Sequence, residues 1–279
     1  MVVAPLTLSS LALATLLVAA LPFVIYRRLR RPLALKPRDA IAGIAVFALF
    51  AMVIERALND YVLHRNEATA TFLSNPLAFV VYGALAAGIC EEVGRFIGMR
   101  LLLRRAAAKA AASTSQALRT DDGTALTYGL GHGGAEAWLV GVLVQIQWIL
   151  FAVFENRGQL DDYLSNLPTE SVMRIHLILA SLTPQTAGIF ALERVAALVF
   201  QIGLSVLMWR GLQAGWRAIL PLAIVLHALV DVPAALFQAQ LVPLAAVDAV
   251  YALGALVVVG LLVRVYRRPG AASMTVLSR

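Results

Sequence analysis

The sequence predicts an all-α, polytopic membrane protein, a transmembrane bundle of about seven helices. Of its 279 residues, 61% are hydrophobic and only 14% are charged, whereas a soluble domain carries about 25% charged residues. Apolar runs of about 20 residues, the length that crosses a bilayer, recur along the whole chain. Short polar segments that contain arginine or lysine separate these runs.

The polar segments set the bounds of each expected span. We predict spans over residues 5–26, 39–63, 76–103, 124–154, 188–209, 216–237 and 241–263. Residues 171–184 are amphipathic and too short to cross the bilayer, so we expect an interfacial or re-entrant helix there. The arginines of the first span follow its apolar run, which is typical of a retained anchor and not of a cleaved signal peptide.

The chain shows neither a tandem repeat nor a linker that would divide it. We therefore expect a single membrane-embedded domain over residues 1–279, with 5–26 as a peripheral anchor and the motif-bearing core in 76–237. The alanine-rich segment 106–117 is expected to be a helical extension or a mobile loop. The single cysteine, Cys90, excludes an internal disulfide and a CxxC metal site.

Basic residues cluster in alternate loops. They occupy residues 27–38, 104–119, 210–217 and 264–268, whereas the loop at 155–163 carries acidic residues. This alternation predicts an outside N-terminus and a cytoplasmic C-terminus in the cytoplasmic (plasma) membrane. Arginines near anionic lipid headgroups explain the net charge of +7, so we expect the lipid bilayer as a partner and no nucleic acid.

Ionisable residues interrupt the apolar spans. They are Glu91, Glu92 and Arg95 in the third span, His132 and Glu136 in the fourth, Glu193 and Arg194 in the fifth, and His227 and Asp231 in the sixth. Such groups cost several kcal/mol in lipid, so they tend to face the bundle interior and to mark function.

Depth and spacing place most of these residues together. At about 1.5 Å per residue, Glu91, His132 and His227 lie about 18, 12 and 16 Å from the cytoplasmic ends of their spans, which is one layer. Glu193 enters from the outer side and joins this layer only if its span tilts or starts earlier. The pairs Glu91/Arg95, His132/Glu136 and His227/Asp231 have i, i+4 spacing, which puts both members on one helix face. One pair alone is typical of helix packing, but several pairs at one depth favour a functional site.

The stretch GLGHGG (129–134) matches the dinucleotide-binding pattern GxGxxG. The match is misleading because that fingerprint requires a preceding strand. Gly129 and Gly133 instead indicate close helix approach, or a local break that lines a wet cavity. The HExxH motif of soluble metalloproteases is absent.

Two hydrolytic schemes use histidines and carboxylates of this kind. In one, a carboxylate deprotonates water, a histidine holds that water, and a second histidine stabilises the oxyanion of the attacked carbonyl. In the other, two histidines and a glutamate bind zinc and leave one position open for water. Both schemes hydrolyse an amide.

The motifs CEEVGR, GLGHGGAEA, ERVAALVFQIGLS and HALVD occur in this order across the third to sixth spans. Together they resemble the CAAX-protease and bacteriocin-processing (CPBP, or Abi) superfamily, and in particular its YhfC-type branch of intramembrane metalloproteases. The resemblance covers roughly half of the chain. It implies an intramembrane endopeptidase that cuts a membrane-embedded peptide or protein substrate.

The resemblance also implies roles for individual residues. Glu91 or Glu92 would be the catalytic base, His132 would hold the water or a metal, and His227 with Asp231 would stabilise the oxyanion or bind the metal. Under the zinc scheme the ligands would be His132, His227 and Glu92. Arg95, Glu136 and Glu193 would be supporting residues.

This sequence departs from the superfamily pattern in two places. Arg95 follows Glu92 by three residues, which leaves open which glutamate is the base. Asp231 stands where an asparagine is usual, which favours metal binding over an oxyanion donor.

Two non-enzymatic alternatives use the same residues. They are a scaffold that has lost the chemistry and a proton-coupled transporter. The sequence has no pair of matching broken helices of the kind that transporters carry in two halves. It leaves the oligomeric state open.

Overall fold

The computed structural model of the protein describes residues 2–111 and 122–266. These residues form helices joined by short turns, without a β-strand among them. Seven of the helices are long and apolar enough to cross a membrane. The prediction of an all-α, polytopic bundle is confirmed, whereas the single domain and the orientation of the termini stay predictions.

The spans, numbered 1 to 7 in chain order, begin and end close to the predicted bounds. They are Pro5–Leu29, Pro37–Arg65, Pro76–Ala108, Gly123–Asn156, Pro184–Gln213, Ile219–Gln238 and Leu244–Tyr266. Short helices at Glu67–Phe72, Leu160–Tyr163 and Thr169–Ser181 lie between them. The helix of span 3 continues to Ala111, and the rest of the predicted segment 106–117 lies outside the described residues.

Span 5 begins at Pro184, four residues before the predicted start. Proline fits the first helical position because it lacks the backbone N–H that would stay unpaired there. Thr183 forms a capping box with Thr186, in which each side chain bonds the other residue's backbone N–H. The expected interfacial helix is a separate element, Thr169–Ser181, because this cap starts a new helix instead of extending the old one.

Spans 2 and 4 contain π-helical segments that the sequence pattern did not predict. They are Phe50–Glu55 and Tyr61–Arg65 in span 2, and Ala137–Val142 in span 4. A π-turn inserts an extra residue and turns the following side chains to a new face, and it often lies at functional sites. The first segment of span 2 ends at Glu55, and the segment of span 4 begins just after Glu136. Both residues are acidic and belong to the candidate site.

Glycines let span 4 approach its neighbours closely. A Cβ on Gly133 would lie 2.8 Å from the Cβ of Gln201, and one on Gly129 would lie 2.9 Å from the Cα of Ile202, both on span 5. On the opposite side, a Cβ on Gly131 would collide with the backbone carbonyl of Ala40 in span 2. These contacts confirm the prediction of close helix approach, and they clamp span 4 between spans 2 and 5.

Spans 3 and 6 form another close pair. A Cβ on Gly88 would lie 3.0 Å from the carbonyl oxygen of Ile224, so only glycine fits without a shift of backbone. About three turns further along span 3, Met99 joins a buried apolar cluster with Tyr128, Met208 and Ile219. The polar residues of span 3 therefore lie between a glycine contact and an apolar cluster. Span 7 is peripheral by comparison, since only 6% of its most apolar 18-residue stretch is buried.

Candidate active site

The ionisable residues of spans 3, 4 and 6 meet inside the bundle. Glu92, Arg95 and His132 have no solvent exposure, and Glu91 and His227 are 6% and 4% exposed. Burial of unpaired charges at this depth would cost several kcal/mol each. Hydrogen bonds between these groups offset that cost, as their geometry shows.

Arg95 is the hub of the cluster. Its Nε donates to both carboxylate oxygens of Glu92, at 3.1 and 3.0 Å. One terminal nitrogen donates to the backbone carbonyl of Gln201 at 3.0 Å and to the hydroxyl of Ser205. The other donates to the side-chain oxygen of Gln201 and lies 3.3 Å from Nε2 of His132. The guanidinium thus joins spans 3 and 5 by hydrogen bonds and contacts His132 of span 4.

Glu92 is fully engaged within this cluster. Besides the two bonds from Arg95, its Oε1 lies 2.8 Å from Nδ1 of His227 on span 6. Because Nδ1 faces a carboxylate, we assign it the ring proton that it donates. The other ring nitrogen of His227 lies 3.5 Å from the Asp231 carboxylate.

Glu91 has a different environment although it is the next residue. Its Oε2 lies 2.9 Å from Nε2 of His132 and 3.0 Å from the side-chain nitrogen of Gln201. Among the described residues, Oε1 of Glu91 receives no hydrogen bond. The carboxylate is therefore held through one oxygen only.

Two aromatic rings fix the orientation of His132. Phe47 meets the imidazole edge-on at a centroid distance of 5.2 Å, and Tyr128 stacks on it at 6.2 Å. Nδ1 of His132 is buried without a hydrogen-bond partner among the described residues. We therefore assign the single proton of a neutral ring to Nε2, which donates it to Glu91.

A cavity of about 440 Å³ lies beside the cluster. Its polar wall includes Glu55, Glu91, Glu136, Gln201, His227 and Asp231. A water molecule in the liquid occupies about 30 Å³, so the cavity has room for water and for part of a peptide segment. Glu92, Arg95 and His132 do not line it.

A chain of polar side chains forms another part of the cavity wall. Tyr82 donates to the side-chain oxygen of Asn59 at 2.7 Å, and Asn59 donates to Oε1 of Glu55 at 3.3 Å. Glu55 and Asn59 belong to span 2 and Tyr82 to span 3. The cavity thus has a second polar group away from Glu91.

The structure brings together most of the predicted site residues. Glu136 and Asp231 line the cavity, and Oε1 of Glu136 lies 3.6 Å from Arg194. Glu193 is absent from the cavity wall, and its charge interacts with Arg194 and Asp248. It lies two turns before Gln201, about 12 Å along the helix axis, and the earlier start of span 5 at Pro184 does not bring it to the cavity.

Several polar residues of the site were not predicted from the sequence, namely Gln201, Ser205, Glu55, Asn59 and Tyr82. A signal existed for the first two, because they form an i, i+4 polar pair in the apolar middle of span 5. Glu55 reaches the cavity wall through the π-helical turn at Phe50–Glu55. No local sequence pattern predicted this turn.

The donor groups do not form a metal site in this arrangement. No group of three or more His, Cys, Asp or Glu side chains within residues 2–111 and 122–266 is placed to hold a metal ion. Of the ligands predicted, Glu92 accepts from Arg95, and the guanidinium lies 3.3 Å from Nε2 of His132, where it would repel a cation. The residues as placed do not fit a bound metal, so zinc stays a prediction.

The fold and the site together define a multi-pass integral membrane protein with a buried Glu–Arg–His cluster beside a polar cavity. The chain belongs to the YhfC intramembrane metalloprotease family, whose sequence model matches residues 17–252. It is 34% identical over 213 residues to the "Uncharacterized membrane protein YhfC" of Bacillus subtilis (strain 168), a match that covers 76% of this chain and 78% of the relative. No solved structure matches the chain.

The family match confirms the resemblance to the YhfC branch that the motifs indicated. The family name points to a metal-dependent protease, and the Bacillus relative is described only as a membrane protein. Placement in the wider CPBP superfamily stays a prediction.

Proposed function

We propose that the protein is an intramembrane endopeptidase in which Glu91 is the catalytic base. The observation that carries this proposal is the difference between two adjacent glutamates. Glu91 lines the cavity and keeps one oxygen without a hydrogen bond, whereas Glu92 is saturated by Arg95 and His227 and lies off the cavity. Of these two glutamates, Glu91 alone can meet a water molecule without breaking the cluster.

The proposed reaction begins with a water in the cavity. Glu91 takes one proton of this water on Oε1, and the resulting hydroxide attacks the carbonyl carbon of the scissile peptide bond. The tetrahedral intermediate collapses as the C–N bond breaks, and Glu91 returns the proton to the leaving nitrogen. The products are a carboxylic acid and an amine, and no other reactant is consumed.

The two histidines have separate roles in this proposal. His132 donates from Nε2 to Oε2 of Glu91 and so keeps Oε1 available to the water. His227 lines the cavity, and as an imidazolium it donates from Nδ1 to Glu92 and from Nε2 to the oxyanion of the intermediate. Asp231, 3.5 Å from that Nε2, favours the protonated donor.

The substrate we propose is an apolar peptide segment that enters the cavity within the membrane. The cavity is bounded by spans 2, 3, 4, 5 and 6, so the scissile bond has to reach the depth of Glu91. A helix has no free carbonyl at its centre, and such a segment therefore has to unwind locally.

Cleavage of defined model spans tests the proposal. The probes are quenched fluorescent peptides with one apolar span of about 20 residues, each with a Gly-Pro helix break at a different depth. Wild-type protein and Glu91→Gln are reconstituted in liposomes with these probes, and new peptide ends are found by mass spectrometry. We expect cleavage by the wild type and none by the variant. Equal results for wild type, variant and empty liposomes would reject the protease and favour a scaffold or a transporter.

Metal analysis separates the glutamate scheme from the zinc scheme that the family name implies. Metal content is measured by mass spectrometry on protein purified without chelator, for the wild type and for a His132→Ala, His227→Ala double variant. Our proposal predicts no difference between them. If the wild type holds about one zinc per chain and the double variant holds none, the Glu91 scheme is rejected in favour of a zinc site built from His132, His227 and Glu92.

A further inference from the structure

Gln201 is a buried amide that no predicted role explains. It lies in the apolar middle of span 5, in the stretch LVFQIGL, and is 5% exposed. Burial of an amide is unfavourable unless its groups are hydrogen-bonded. Hydrogen bonds of the Gln201 side chain therefore have to offset the unfavourable burial of its amide.

Every polar atom of the Gln201 side chain has a partner. Its nitrogen donates to Oε2 of Glu91 at 3.0 Å and to Oε2 of Glu136 at 2.8 Å. Its oxygen accepts a hydrogen bond from the Arg95 guanidinium. A flipped amide would place the oxygen against two carboxylates and the NH₂ group against the guanidinium, so the charges allow only one orientation.

We propose that Gln201 is a positioning residue that sets Glu91 for water activation, an inference that rests on the proposed function. Its amide shares two N–H groups between Glu91 and Glu136 and is itself anchored by Arg95. This arrangement gives Oε2 of Glu91 a second donor beside His132 and leaves Oε1 without a protein donor among the described residues. It also separates Glu91 from Glu136 with a donor, where two carboxylates in direct contact would repel each other.

Two substitutions distinguish this role from simple filling of space. Gln201→Glu keeps the size of the side chain and the oxygen that accepts from Arg95, but loses the N–H groups. Gln201→Met keeps the approximate volume and loses both the donor and the acceptor. The control is Gln145→Met, which changes a glutamine that is also buried, at 7% exposure, but does not line the cavity.

The expected result is a loss of turnover without a loss of substrate binding. A hydrogen bond to a charged group is the interaction removed, so we expect kcat for the model span to fall about 10- to 100-fold in both Gln201 variants. KM should stay within about threefold, because the amide acts on the base and not on the substrate. Gln145→Met should keep the wild-type kcat.

Folding is followed in the same preparations by thermal unfolding. Cys90 is the single, buried cysteine, so a thiol-reactive dye reports its exposure. Gln201→Glu places a third carboxyl group against Glu91 and Glu136, so it should unfold below the wild-type temperature. Gln201→Met adds no charge and decides the question if Gln201→Glu does not fold.

Three results would overturn the inference. They are a wild-type kcat in either folded Gln201 variant, a rise in KM as large as the fall in kcat, or an equal fall in Gln145→Met. Glu91→Gln is measured beside these variants. If the wild type cleaves, Glu91→Gln does not, and the Gln201 variants behave as wild type, only the role of Gln201 fails. If the wild type and Glu91→Gln behave alike, the proposed function itself fails.

Discussion

The buried polar layer has two halves that differ in their access to the cavity. The closed half consists of Glu92, Arg95 and Ser205, whose polar groups bind each other and lie off the cavity wall. The open half consists of Glu91, Glu136 and Asp231, which line the cavity. Chemically similar carboxylates thus stabilise the bundle in one half and remain available for chemistry in the other.

Helix geometry explains how adjacent glutamates come to lie in different halves. Successive residues of an α-helix point about 100° apart. Glu92 therefore faces span 6 and its own Arg95, whereas Glu91 faces span 4 and the cavity. The comparison teaches that an EE pair in a membrane span can combine one structural and one reactive carboxylate, and each prediction below tests one side of that division.

The largest effect is expected in the closed half. Arg95→Met leaves the Glu92 carboxylate buried without its cation and removes the contacts that join spans 3, 4 and 5. Loss of one partner of a buried pair costs about 3–5 kcal/mol. Thermal unfolding, followed by the exposure of Cys90, should show a marked drop in the unfolding temperature. Cleavage of the model span should be lost. Arg100→Met, an exposed arginine of the same span, is the control and should unfold as wild type.

Substitution of the open-half glutamate should remove activity without loss of stability. Glu91→Gln keeps the shape and one acceptor oxygen, but an amide cannot take a proton from water, so we expect the cleavage rate to fall by about 10²- to 10⁴-fold. Glu92→Gln should instead lower the unfolding temperature. If Glu91→Gln is active and Glu92→Gln is inactive but stably folded, then Glu92 is the catalytic base and Glu91 the structural carboxylate.

The contact between spans 3 and 6 should be sensitive to one methyl group. In Gly88→Ala the new Cβ would lie 3.0 Å from the Ile224 carbonyl oxygen, and overpacking of this kind costs about 1–3 kcal/mol. In Gly83→Ala the nearest atom, the Cβ of Ala235, is 3.9 Å away. Unfolding temperatures should fall for Gly88→Ala and hold for Gly83→Ala. Equal temperatures for both would show that the helix pair adjusts freely.

Asp231 should contribute modestly to the open half. Its carboxylate lies 3.5 Å from Nε2 of His227, too far for a strong hydrogen bond. Asp231→Asn should therefore lower kcat for the model span by less than about tenfold. A loss as large as that of Glu91→Gln would make Asp231 a second essential carboxylate and would move the centre of the chemistry towards span 6.

The smallest effect is expected outside both halves. Glu193 is half-buried, lies off the cavity and interacts with Asp248 and Arg194. Glu193→Gln should leave stability within about 0.5 kcal/mol and activity close to wild type. A strong loss of activity, measured with the same peptides, would extend the site to the start of span 5.

Much of the architecture followed from local patterns. Runs of apolar residues predicted the seven spans, because a bilayer excludes unpaired charge over a fixed thickness. The i, i+4 spacing of His227 and Asp231 predicted a shared helix face, and their side chains do line one cavity. Close helix approach at Gly133 was also predicted from the sequence, because a residue without a side chain lets two helix backbones come near each other.

Other features depend on one local signal that was not recognised and on contacts between different spans. The start of span 5 was misplaced because the cap at Thr183 was not recognised. Gln201 was overlooked because one amide in an apolar span reads as a packing residue until its partners on other spans are known. Glu55 reaches the cavity through π-helical turns, which leave no periodic signal.

The sequence by itself determined that this is a helical membrane protein, that Glu91, His132 and His227 lie in one layer, and to which family it is similar. It did so because hydrophobic thickness and helical rise convert residue number directly into depth. Only the tertiary structure decided which partners these groups take. Rotation of each helix about its axis and close contact between spans turn Glu91 to the cavity, bury Glu92 against Arg95, exclude Glu193 and place Gln201 between two carboxylates.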